Sequence, residues 1–239
     1  MPTALVTGAA HGIGKAIAAA LAAEHYDLHL ICRESADELR EQAAGLENSF
    51  HVSVSADAVD VSDAAAVERY FAEKIRRLDL LINNAGISRI GLLQDTSVAE
   101  WNTVISTNLS SVFYTCRCAI PLFLKSGSGR IINISSVWGS AGASMETAYS
   151  ASKGGVNALT RALAKELAPN HIPVNAIACG VIDTRMNGCF NEDERRALRD
   201  EIPADRFGSP EETAAAVVKL SQMPDYLTGQ IITFDGGWI

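Results

Sequence analysis

Ser136, Tyr149 and Lys153 follow one another as Ser-x12-Tyr-x3-Lys, a set of groups able to deliver a proton to a carbonyl oxygen. Tyr149 and Lys153 are i, i+4 partners at the start of a helical pattern, so their side chains share one face. An ammonium close to a phenol of ordinary pKa about 10 eases its ionisation, which predicts Tyr149 as a general acid. Ser136 closes an apolar run, where its hydroxyl can hydrogen-bond the same substrate oxygen. Taken singly, each residue also fits a plainer role: a core tyrosine, a solvated lysine and a strand-end hydroxyl.

Upstream, Thr7-Gly8-Ala9-Ala10-His11-Gly12-Ile13-Gly14 joins the first apolar run to the first helical stretch. Glycines there permit a tight turn and let backbone N–H groups approach a pyrophosphate at a helix N-terminus. The spacing Gly-x3-Gly-x-Gly is looser than the commonest dinucleotide fingerprint, and closing a turn is the alternative role. Lys153 could then also hold a nicotinamide ribose. The second strand ends Leu30-Ile31-Cys32-Arg33-Glu34, with no carboxylate at the strand end itself. Arg33, with help from His11, can pair with a 2′-phosphate, which favours NADP(H); in the alternative, Arg33 is a solvated charge and Glu34 takes the ribose.

The elements that must position these residues alternate along the chain. Strands are predicted at Leu5–Thr7, Leu28–Cys32, Val52–Ser55, Leu78–Ile82, Arg130–Ile134, Val174–Ala178 and Gln230–Phe234. Helical spacing covers Gly12–Glu24, Ala36–Leu46, Ala64–Ile75, Val98–Lys125, Tyr149–Leu167 and about Pro210–Leu220. Near-continuous apolar strands imply a parallel sheet covered on both faces, hence an α/β, doubly wound, Rossmann-like domain of seven strands spanning residues 1–239. Its ligand site belongs beyond the carboxyl ends of the strands.

A chain of 239 residues at 48% hydrophobic can bury a large core in one domain, and 20% charged residues argue against extensive disorder. The net charge of −8 and the absence of a longer basic cluster than Arg76-Arg77 disfavour nucleic acid. No secretory leader or membrane-length apolar run is legible, so a cytoplasmic location without membrane attachment is the expectation. Cys32, Cys116, Cys118, Cys179 and Cys189 lack C-x-x-C spacing and read as reduced thiols, with no metal site. Cys116 and Cys118, two apart on a helix, face different ways.

Together these residues identify a resemblance, along essentially the whole chain, to the classical short-chain dehydrogenase/reductase family. Thr7-Gly8 to Gly14 resembles the family's glycine motif; Asn83-Asn84-Ala85-Gly86 resembles the motif that supports the sheet and the adenosine side of the cofactor. Asp60-Val61 resembles the pair that touches adenine. Asn108, within Thr107-Asn108-Leu109-Ser110-Ser111-Val112-Phe113, matches the asparagine that holds a water in a proton relay, completing a catalytic set with Ser136, Tyr149 and Lys153. Gly180, Ile182 and Thr184 match positions at the nicotinamide, although Cys179 replaces the usual proline there. A free thiol at Cys179 is expected to make the enzyme sensitive to oxidation. The resemblance implies NADPH-dependent reduction of a carbonyl with pro-S hydride delivery, a mobile substrate lid at about 185–206, and a homotetramer formed through Val98–Lys125, Tyr149–Leu167 and the last strand.

Within the family, the overall pattern and the Phe234-Asp235-Gly236-Gly237 tail resemble 3-oxoacyl-acyl-carrier-protein reductases. Ser135-Ser136-Val137-Trp138-Gly139, Gly142-Ala143-Ser144-Met145-Glu146 and Ser150-Ala151-Ser152-Lys153 resemble the reductase that completes the 5-aminopentanone modification of elongation factor P. Acyl carrier protein is acidic and prefers a basic rim, for which Lys125 and Arg130 are candidates; an aminopentanone carries a cation that Glu146 could attract. For Glu146 the plainer role is a solvated loop carboxylate. A third reading is a non-catalytic NADP-binding sensor or scaffold, which would have no use for a proton relay. The run Asn191-Glu192-Asp193-Glu194-Arg195-Arg196 reads as an exposed helix, and a lid also needs a wet outer face.

Overall fold

Seven strands, β1 (Thr3–Thr7), β2 (Asp27–Cys32), β3 (Val54–Ala58), β4 (Leu80–Asn83), β5 (Arg130–Ser136), β6 (Val174–Cys179) and β7 (Ile231–Phe234), line up in the order β3-β2-β1-β4-β5-β6-β7. All six neighbouring pairs are parallel. The computed structural model describes residues 1–188 and 190–239, so Cys189 lies outside the described residues. Crossover helices are α1 (Gly12–Ala23), α2 (Ala36–Phe50), α3 (Ala64–Lys74), α4 (Val98–Ile105), α5 (Ser111–Ser126), α6 (Trp138–Ala141), α7 (Thr147–Leu167), α8 (Glu192–Asp200) and α9 (Pro210–Ser221).

Alternation along each strand divides the interior into two cores. Ala4, Val6, Leu80, Ile82, Ile132 and Ile134 face one side, where Ile17 and Leu21 of α1 and Val217 of α9 cover them. Leu5, Leu81 and Ile131 face the other, against Phe71 of α3, Val112 and Phe123 of α5 and Val156 of α7. Both faces are therefore dry, as a parallel sheet requires.

Two elements differ from the sequence reading in ways that matter, and a third agrees with it. β3 runs Val54–Ala58 instead of Val52–Ser55, because pairing with Leu28–Cys32 extends it through Ala56-Asp57-Ala58, residues with little strand character of their own. The expected single helix Val98–Lys125 is two helices joined by a π-helical turn at Ser106–Ser110, an insertion common at functional sites. The charged run does form an exposed helix, α8, opened by a reciprocal Asn191–Glu194 capping box.

Strands β4 and β5 are tied to their covering helices by a buried polar chain. Thr115 Oγ1 donates to Asn83 Oδ1 at 2.7 Å, Asn83 Nδ2 to Asn133 Oδ1 at 2.9 Å, and Asn133 Nδ2 to Thr160 Oγ1 at 2.9 Å. Every member is buried, so the links hold α5, β4, β5 and α7 in one register. Asn133→Ala leaves Asn83 Nδ2 with only the Cys116 sulfur, 3.6 Å away. A loss of roughly 2 kcal/mol in urea unfolding is expected; unchanged stability would show that the chain is not structural.

Candidate active site

The carboxyl ends of β1, β4, β5 and β6 open into a cavity of about 660 Å³. It lies where the strand order reverses, between the β2 side and the β4 side of β1, the crevice at which doubly wound sheets bind ligands. Gly8 takes φ +65°, and a Cβ on Gly14 would fall 2.2 Å from the Gly8 carbonyl oxygen, so only glycine lets α1 start this close to the turn. Thr7 Oγ1 accepts from the N–H groups of Asn84 and Ala85, both at 3.0 Å. Asn84 Nδ2 donates back to the carbonyls of Thr7 and Gly8, again at 3.0 Å. The ends of β1 and β4 are thereby stitched together beneath the cavity floor.

Of the residues singled out in the sequence, Gly8, Ala10, His11, Gly12, Ile13, Arg33, Asp60, Val61, Asn84, Ala85, Gly86, Ser136, Tyr149, Lys153, Gly180, Ile182 and Thr184 all line this cavity. Thr7, Gly14 and Asn108 do not; they shape it from behind. Asn108 sits in the π-helical turn, accepts from Ile87 N at 2.8 Å, and donates to Ile87 O at 2.8 Å and Ser152 Oγ at 3.0 Å. Its side chain is spent on the loop after β4 and the second turn of α7. Arg33 pairs with its neighbour Glu34 at 2.8 Å, both largely in solvent. His11 Nε2 lies 3.0 Å from Ser35 Oγ and its Nδ1 3.3 Å from Glu38. Asp60 accepts from the Ser62 amide at 2.9 Å and hydroxyl at 2.7 Å.

The electrostatics of the tyrosine and lysine correct the sequence expectation. Burial pushes the Tyr149 phenol well above its ordinary value; the Ser136 hydroxyl opposes this, while Cys179 and Glu146 add to it. Lys153 is 4% exposed, and burial brings its pKa down from 10.5 to about 8. Its ammonium donates to the Ile134 carbonyl at 2.8 Å and stands 5.7 Å from the centre of the Tyr149 ring. The i, i+4 spacing does place the two side chains together, but the backbone acceptor on β5 draws the ammonium to itself. In this state the phenol is harder to ionise, not easier.

Burial acts on Cys179 as well. It pairs in register with Ser136, is 5% exposed, and burial drives its thiol up to about 12 against the pull of Lys153. A thiol held protonated is a poorer nucleophile, which weakens the oxidation sensitivity expected at this position, although Cys179 itself lines the cavity. Cys116 is buried and Cys118 half-buried, as two residues on different helix faces should be.

The far end of the cavity holds groups of a different kind. Glu146 lines it, accepts from the Ser88 hydroxyl, and lies close enough to Tyr149 to disfavour the phenolate. Trp138 and Trp238 also line it, edge to face at 4.9 Å, and Trp238 Nε1 donates to Glu201 at 3.4 Å. Ser88 and Trp238 had no motif to announce them; the one available signal was an aromatic two residues past Ser136 and another in the tail. From the segment 185–206, Arg185, Met186, Asn187, Phe190 and Leu198 reach the lining. The basic rim expected from Lys125 and Arg130 is elsewhere. Arg130 opens β5, about 20 Å from the Ser136 end at strand rise, and is paired with Asp225 at 2.8 Å. Among the described residues no helix is long and apolar enough to cross a membrane, and no cluster of three His, Cys, Asp or Glu is placed to hold a metal ion.

Comparison with known proteins agrees with this geometry. A family model described as short chain dehydrogenase matches residues 2–195. The chain is 37% identical over 237 residues to "Uncharacterized oxidoreductase YmfI" of Bacillus subtilis, covering 99% of this chain and 98% of that one. It is 40% identical over 238 residues to 3-oxoacyl-[acyl-carrier-protein] reductase FabG of Thermotoga maritima, covering 98% and 96%. Among solved structures, YwfH, described as an NADPH dependent reductase involved in bacilysin biosynthesis, superposes with a TM-score of 0.93 at 28% identity, covering 100% and 98%.

The depressed pKa of Lys153 has a measurable consequence for stability. Between pH 8 and 10.5 the unfolded chain keeps the Lys153 proton while the folded chain has released it, so this group makes stability rise with pH across that window. Below pH 8 both states hold the proton and the burial penalty is constant. Lys153→Met removes the titration, so the melting temperature of the variant relative to the parent should be highest near pH 7 and fall towards pH 10, without dinucleotide. A difference independent of pH would show that Lys153 is not buried as a charge.

Proposed function

The chain belongs to the short-chain dehydrogenase family, and from that premise we propose that it is an NADPH-dependent reductase of a carbonyl compound, with Tyr149 as the proton donor. The observation that carries this reading is that a glycine-turn cradle and the Ser136, Tyr149 and Lys153 side chains share one cavity. The residues fit a dinucleotide. The N-terminus of α1 behind Gly12 would take the pyrophosphate, Asp60 and Val61 the adenine, Arg33 the 2′-phosphate on leaving Glu34, and Ile182 and Thr184 the carboxamide. When bound, NADPH supplies the hydride. Ser136 would hold the ketone oxygen by hydrogen bond, and Tyr149 would release its proton to that oxygen as the alcohol forms. Lys153 would hold the ribose and steady the phenolate once a bound ligand draws its ammonium off Ile134. Asn108 acts in this scheme by fixing Ile87 and Ser152, the supports on either side of the catalytic pair.

Two substrates divide the finer reading. Relatives named 3-oxoacyl-[acyl-carrier-protein] reductase support a 3-oxoacyl thioester. The cavity itself favours a ketone with a cationic end, as in the 5-aminopentanone modification of elongation factor P. Glu146 sits beside Tyr149, with Ser88 as its hydrogen-bond donor, and Arg130 is turned away from the mouth. Either partner places the reaction in the cytoplasm. We further read residues 1–239 as one domain with 185–206 as a lid. Exposed Phe113 and Leu124 on α5 and Ile232 on β7 support assembly into a homotetramer; sedimentation as monomers at micromolar concentration would refute it.

The deciding experiment follows NADPH oxidation, with NADH alongside, on acetoacetyl-acyl-carrier protein and on elongation factor P bearing the aminopentanone. Tyr149→Phe should retain NADPH binding and lose roughly 10²-fold or more in turnover; full turnover would remove Tyr149 as the acid. Glu146→Gln should cost about tenfold in kcat/KM on the aminopentanone and little on the thioester; equal effects would discard the cation reading. A parent protein that binds NADPH and reduces neither would leave the non-catalytic binding module.

A further inference from the structure

Arg185 opens the short helical turn that follows Thr184, in the segment after β6 that lines the cavity beside the glycine turn. Its guanidinium nevertheless reaches that turn, with Nη1 3.2 Å from His11 Nε2. The approach is built in at the backbone as well, since a Cβ on Gly12 would stand 3.2 Å from Thr184 Cγ2. Two arginines line the cavity. Arg33 is neutralised by Glu34, whereas Arg185 has no carboxylate within ion-pairing distance among the described residues. An arginine held over the start of a helix, where the macrodipole and unpaired N–H groups already favour negative charge, and lacking an acidic partner, is a cation prepared for an anionic ligand.

We propose that Arg185 clamps the pyrophosphate of the bound dinucleotide from the lid side, opposite the N–H groups of the glycine turn, so that the segment 185–206 is drawn over the cofactor by a charge-assisted contact. This rests on the dinucleotide reading above. The pyrophosphate is preferred over the 2′-phosphate because the residue before Arg185, Thr184, stands against Gly12 at the start of α1, whereas the 2′-phosphate side is served by Arg33 in the loop after β2.

The test is equilibrium binding of NADPH and of NADH, followed by dihydronicotinamide fluorescence, for the parent, Arg185→Ala and Arg185→Lys. Arg185 is exposed, so the variants should fold, which circular dichroism verifies. Arg185→Ala should weaken both dinucleotides about tenfold, flatten the salt dependence of binding and leave the NADPH-to-NADH preference unchanged; Arg185→Lys should restore part of the affinity. Binding within twofold of the parent overturns the proposal, and a loss confined to NADPH overturns it in favour of the 2′-phosphate. If the parent binds neither dinucleotide, the underlying functional reading falls and takes this proposal with it.

Discussion

The reciprocal bonding between Thr7 and Asn84 is the constraint on which the site depends. β1 and β4 are neighbours in the sheet although 77 residues separate Asn84 from Thr7, and their following loops diverge to opposite faces. Four hydrogen bonds between Thr7, Gly8, Asn84 and Ala85 hold those loops at a fixed separation. Without them the crevice would have no fixed floor, and the glycine turn would not face the residues presented by β5 and α7. Neither Thr7 nor the Asn84 amide need touch a ligand to do this. Their bonds set the distance between the part of the cavity suited to phosphates and the part suited to a carbonyl.

On that floor Tyr149 and Lys153 are held in a resting electrostatic state. Lys153 gives its ammonium to the Ile134 carbonyl, and Tyr149 is a half-buried, protonated phenol whose neighbours Cys179 and Glu146 both disfavour its anion. Both groups lean towards neutrality because burial penalises charge of either sign. An acid in this condition keeps its proton until something changes the local field. The geometry provides for such a change: the lysine ammonium already stands over the tyrosine ring, so a short movement of its terminal atom from the backbone carbonyl towards the phenol oxygen alters the field most where it matters.

Much of the fold could be read in the residues because local pattern and tertiary role agree there. Apolar runs bounded by Gly, Asn or Asp became the seven strands, and the Ser136, Tyr149 and Lys153 spacing placed all three side chains in one cavity. What escaped the sequence was decided by contacts between distant segments. Asp57 and Ala58 are strand residues because β2 pairs with them. The break at Ser106–Ser110 leaves the helical periodicity of Val98–Lys125 intact and shows only in the backbone. The direction of the Lys153 ammonium depended on a carbonyl from β5, and the remoteness of Arg130 from the cavity on which end of β5 it occupies. Arg185 and Trp238 looked like ordinary surface residues because the partners that give them meaning, His11 and Trp138, lie 174 and 100 positions away along the chain.

Charge is segregated along the cavity, and this bears on how substrate and acid are coupled. Basic groups, Arg33 and Arg185, lie near the glycine turn, while Glu146 lies at the other end, against Tyr149. A neutral substrate would leave the Glu146 field in place, and the phenol would remain a reluctant donor throughout binding. A substrate whose cationic end settles on Glu146 would cancel that field at the moment of binding, lowering the cost of the phenolate just when the carbonyl oxygen arrives at Ser136. The carboxylate would then serve recognition and acid strength through a single contact. In its absence the same carboxylate would suppress the proton donor, a form of selectivity that needs no steric exclusion.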